Sequence, residues 1–159
     1  MHRILLVLAI GAFTSVATAT TALAEVVSNT RIPFTSFVGF VPCANGGAGE
    51  FIVGVGGEIH VLIALTENGS VIVAKEHFQP QGATAVGLNT GDIYHATGVT
   101  QNRFTFTNQN GETFAYVNNF RMIGPGPGNN FLVHESFHFT VNANGDTTFV
   151  HDNFSIECK

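Results

Sequence analysis

One turn signal, present three times, constrains this chain more than any other feature. Asn-Gly stands at Asn68-Gly69, Asn110-Gly111 and Asn144-Gly145, each time between alternating or β-branched segments. Asn-Gly accepts the positive φ angles of tight hairpin turns, and alternation with period two marks strands that bury one face. Three antiparallel hairpins follow. Strands are read at about 31–41, 50–55, 58–66, 70–78, 83–88, 92–99, 102–108, 113–123, 130–141 and 147–157, separated by Gly-rich turns such as Asn45-Gly46-Gly47 and Asn89-Thr90-Gly91. Short strands at this spacing predict an all-β fold, a single antiparallel β-barrel with a β-sandwich as the alternative. Gly124-Pro125-Gly126-Pro127-Gly128 reads as an exposed connection, and no linker divides the chain.

The alternation also assigns faces. In the first hairpin Ile59, Val61, Ile63 and Leu65 share a side with Ile72, Ala74, Glu76 and Phe78, and that side is the expected core. In the last, Phe131, Val133, Phe137, Phe139 and Val141 share a side with Val150, Phe154 and Ile156, and His134, His138 and His151 lie on the other.

The first 24 residues read as a cleaved signal peptide: Met1-His2-Arg3, an apolar run from Ile4 to Phe13, and the small-residue site Ala22-Leu23-Ala24. The remainder, 25–159, is expected to be one exported domain, secreted or periplasmic. No later apolar run is long enough to span a membrane, so membrane insertion is not expected. Five basic residues, Arg31, Lys75, Arg103, Arg121 and Lys159, face eleven acids in that domain, and no basic cluster is visible along the sequence. Nucleic acid is therefore a poor partner, because phosphate binding requires concentrated Lys and Arg. Two cysteines, Cys43 and Cys158, lie near opposite ends of the domain and are expected to form a disulfide in an oxidising compartment.

His134-Glu135-Ser136-Phe137-His138 matches the HExxH pattern of zinc proteases. That pattern works on a helix, where residues four apart share a face. Here the flanking Phe and Val residues alternate, so the segment reads as a strand, on which the two imidazoles stand roughly 13 Å apart. A different arrangement follows from the hairpins. Two-residue turns at Asn68-Gly69 and Asn144-Gly145 set His60 against His77 and His138 against His151, two pairs able to give weak Zn²⁺ or Cu²⁺ sites. No other cofactor is indicated. Three acids, Glu76 beside Val61, Glu135 beside Phe154 and Asp152 beside Phe137, lie on otherwise apolar faces, where desolvation favours acid or base chemistry.

The succession Pro42-Cys43, His60-Val61-Leu62, Gln81-Gly82, Gly87-Leu88-Asn89-Thr90-Gly91-Asp92-Ile93-Tyr94, Asn142-Ala143-Asn144-Gly145 and Asp152-Asn153-Phe154-Ser155-Ile156-Glu157-Cys158 resembles a group of small exported bacterial proteins that carry no assigned activity. The barrel expectation adds an analogy of architecture to lipocalins and to the dirigent and allene oxide cyclase barrels, whose signature motifs are missing. Two functions are therefore expected to compete. One is a non-enzymatic exported protein that binds a small apolar ligand or serves in surface interaction. The other is a barrel isomerase or cyclase whose acid or base is Glu76, Glu135 or Asp152. A lumen with a carboxyl group in its wall favours the second.

Overall fold

The computed structural model describes residues 23–107 and 111–159. Apart from Leu23 and Ala24, the expected signal peptide lies outside the described residues, as do positions 108–110 of the middle Asn-Gly turn. Among the described residues eight strands form one antiparallel sheet: β1 (Leu23–Pro33), β2 (Val38–Val41), β3 (Glu50–Asn68), β4 (Val71–Gly87), β5 (Ile93–Thr107), β6 (Gly111–Ile123), β7 (Asn130–Val141) and β8 (Thr147–Cys158). From β3 to β8 each strand pairs with its sequence neighbour. Both β1 and the short β2 pair with β3, β1 along its second half and β2 along its first.

The expected strands 50–55 and 58–66 are one strand, β3, and the same holds for β4 and β5. The apparent breaks at Gly56-Gly57 and at Pro80 to Gly82 are register shifts inside continuous strands. Such bulges bend a sheet and increase its twist without ending it. The expected strand 31–41 is instead two strands that meet at a 3-10 turn, Phe34–Ser36, whose ring Phe34 turns into the core. Gly54 makes room for this turn, since a Cβ there would lie 2.0 Å from the Phe34 carbonyl oxygen.

The closed barrel does not form, because β1 and β8 remain the two edges of the sheet. At one end Val41, which closes β2, and Cys43 and Ala44 just after it are all buried. Cys43 is bonded to Cys158 at the end of β8, with Cα atoms 5.5 Å apart, and backbone bonds between Asn130 and Lys159 secure the same end. The core gathers there: Phe34, Val41, Ile52, Ala83, Ala85, Tyr94, Ala96, Met122 and Phe131, with Phe37, Ile59, Phe120 and Val133 packed against it. The face of the sheet that packs against these residues is called the inner face below.

Candidate functional site

The first hairpin keeps the expected faces but not the expected rungs. Asn68 pairs with Val71, so the turn is Gly69-Ser70, with Gly69 supplying the positive φ of 60°. Every partner moves by two residues. His77 stands opposite Leu62 and His60 opposite Gln79, so the His60–His77 pair does not exist, and Glu76 faces Ile63 rather than Val61. His60 bonds instead to Asn29 Oδ1 on β1, at 2.7 Å. The last hairpin has the expected pairs, His138 with His151, Glu135 with Phe154 and Asp152 with Phe137. Its connection is five residues long, and a bulge between Thr140 and Val141 absorbs the added length. His134 and His138 lie on a strand, with His134 against Asn119 on β6. Among the described residues no three His, Cys, Asp or Glu side chains gather to hold a metal ion.

The three acids lie on the inner face without forming one cluster. Asn102 Nδ2 donates to Glu76 Oε2 at 2.8 Å. Glu135 stands opposite Asn118, which accepts from the Thr100 hydroxyl at 2.9 Å. Glu76 on β4 and Glu135 on β7 are three strand spacings apart, about 14 Å. Asp152 is exposed on β8. Tyr116 sits between them on β6, its phenol pushed above the usual range by burial and then by the charge of Glu135, against a smaller opposing effect from Asn118.

The inner face also bears a cavity of about 380 Å³ beneath the 3-10 turn. Phe34 and Phe37 form one wall, Ile59, Val61, Phe78 and Phe120 the sheet side, with Ile32, Pro33 and Pro80 at the margin. Its two polar side chains are Ser36 and Thr100, and none of the three acids lines it. The cavity follows from chain geometry: Pro33 ends β1, the 3-10 turn lifts Phe34 and Phe37 over the sheet, and the bulged stretch of β4 sets Pro80 opposite Ile59. A further aromatic group, Phe104, Phe106, Phe114, Phe137 and Phe139, lies towards the hairpin turns, half exposed, with neighbouring ring centroids 4.6 to 6.3 Å apart.

The most buried charge among the described residues is one that motif reading passed over. Glu50 is 1 % exposed at the start of β3. It accepts from the Tyr94 hydroxyl at 2.8 Å, the Thr90 hydroxyl at 2.8 Å and the backbone N–H groups of Asn89 and Thr90 at 3.1 Å. Burial pushes this carboxyl upward, but the four donors together outweigh it and hold it below its usual range. The Tyr94 phenol is pushed well above its ordinary value, first by burial and then by Glu50. Gly87 is required beside them, because a Cβ there would lie 2.5 Å from both carboxylate oxygens. A carboxylate so fully occupied by donors clamps the 88–92 loop to β3 and does not exchange protons with a ligand. Its signal in the sequence was phase: Glu50 shares the buried alternation of Ile52.

No protein-family model matches this chain, and neither a curated protein nor a solved structure matches it.

Proposed function

We propose that this protein binds a small, largely apolar molecule in the cavity beneath the Phe34–Ser36 turn and has no catalytic role. The observation that carries this reading is the lining: nine apolar residues, two hydroxyls and no ionisable group. Ligand sites are typically concave, mostly apolar and fixed by a few polar groups, and a volume near 380 Å³ falls in their usual range. An acid–base enzyme needs a titratable group within hydrogen-bond reach of its substrate, and the candidates Glu76, Glu135 and Asp152 stand outside the lining. The disulfide agrees with a non-cytoplasmic location, so the proposed protein works outside the cytoplasm.

A neutral solvatochromic dye such as Nile red tests this. Saturable one-to-one binding with a blue-shifted emission is expected. Ser36→Trp, at an exposed position on the cavity rim, places an indole in the opening and should weaken the dye about tenfold or more, while the far-ultraviolet circular dichroism stays unchanged. Dye binding unaffected by Ser36→Trp and by Thr100→Phe would remove the cavity from the account.

A further inference from the structure

The strand register gathers the basic side chains of the sheet on one face, which also carries the acids Glu58 and Glu157. Glu76, Glu135 and Asp152 point to the inner face, and every Lys, Arg and His carried by β3 to β8 lies on the outer one. One outer rung reads, from β3 to β8, Ala64, Lys75, Arg103, Ala115, His138, His151. Lys75 and Arg103, 28 positions apart in sequence, therefore stand directly opposite each other on β4 and β5. This is the basic pair that the linear sequence conceals.

Directly opposed like charges destabilise a sheet, with Cβ atoms only about 5 Å apart. Neither cation is relieved by a neighbour: among the described residues the ion pairs are Arg31 with Glu58 and Lys159 with Glu157. Small side chains flank the pair on both sides, Ala64 on β3 and Ala115 on β6, and they leave a depression of about 490 Å³, which Glu76 and Asn102 also border from the inner-face side of the strands, where Asn102 donates to the Glu76 carboxylate. Its far wall is the next rung, where Leu62 and Val117 are apolar and Gln101 and His77 are joined at 3.5 Å.

From this juxtaposition we infer a second binding site, independent of the inner cavity, for a small organic anion. Lys75 and Arg103 take its carboxylate, sulfate or phosphate group, Gln101 and His77 offer further polar contacts, and Leu62, Ala64, Ala115 and Val117 receive an apolar body. The guanidinium suits such a group because its fork of N–H donors matches paired oxygens, with the ammonium adding a point charge. Two basic side chains in one depression fit a small anion rather than a polyanion backbone, which needs many contacts along a track.

Phenyl phosphate, inorganic phosphate and benzyl alcohol form the probe set, titrated by calorimetry and by amide chemical shifts. Phenyl phosphate should bind more tightly than either of the others, shifting the amides of Ala64, Arg103, Ala115 and Val117. Lys75→Gln and Arg103→Gln should each weaken it about tenfold, the loss expected for one charge-assisted contact. Both positions are exposed, so both variants should keep the parent melting temperature or exceed it, and Nile red binding to the inner cavity should not change. Three results would each overturn the site: no saturable phenyl phosphate binding at low salt, inorganic phosphate binding equally well, or an affinity indifferent to both substitutions.

Discussion

Replacing Cys43 and Cys158 together by Ala should lower the unfolding free energy by about 4 kcal/mol, the magnitude expected for a cross-link that closes a loop of this length. The bond joins positions 115 apart in sequence, so in the chain-entropy account it restricts almost the whole unfolded domain. It also acts where the sheet is otherwise weakest. Every residue of β8 is exposed and its outer edge has no strand partner among the described residues, so the strand depends on β7 and on the cross-link. For a domain near this size the loss corresponds to a fall in Tm on the order of 15 °C, read by thermal circular dichroism with and without reductant. A change under about 3 °C would mean that β8 is held by β7 alone.

Glu50→Ala should cost about 3 to 5 kcal/mol, because it strands the Tyr94 and Thr90 hydroxyls and two backbone N–H groups in a dry site. Glu50→Gln keeps the shape but turns an amide N–H₂ towards groups that are themselves donors, so about 2 to 3 kcal/mol is expected. The pH dependence has a definite sign. A carboxyl held below its unfolded value contributes stability that is fully present above about pH 4.3 and is lost as pH falls through the folded value. The parent should therefore lose stability on acidification with a component that is absent in Glu50→Gln. Urea titrations at several pH values between about 2 and 6 measure this, and parallel slopes for the two proteins would contradict the clamp.

Faces were legible in the sequence and rungs were not, and the first hairpin shows why. Its register differs by two from that of a turn centred on Asn68-Gly69, and a shift of two leaves each side chain on its own face. Val61, Ile63, Glu76 and Phe78 thus lie where alternation places them, but His60 loses His77. In the last hairpin, the Asn142 carboxamide oxygen accepts from the N–H groups of Asn144 and Asp146, and the bulge at Val141 restores the pairing of His138 with His151. Turn chemistry of this kind is local but has several solutions for the same Asn-Gly pair.

Closure lies further out of reach, since it depends on the bend accumulated at bulges near Gly54 to Glu58 and between Phe78 and Thr84. Those glycines and Pro80 read in sequence as strand ends. The cavity was equally hidden: its walls come from the 3-10 turn and from β3, β4, β5 and β6, and only the fold brings Phe34 and Phe37 over Val61 and Phe120. Phe34 and Phe37 stack within that wall, with ring centroids 4.6 Å apart.

Intermolecular nuclear Overhauser contacts between the ¹³C-labelled protein and a neutral apolar ligand, 1-decanol, test the binding account most directly. Contacts from the alkyl chain to Phe37, Val61, Phe78 and Phe120 are predicted, saturating at one ligand per protein. Contacts confined to Phe104, Phe114 and Phe139 at the opposite end of the inner face, or none at saturating decanol, would contradict it.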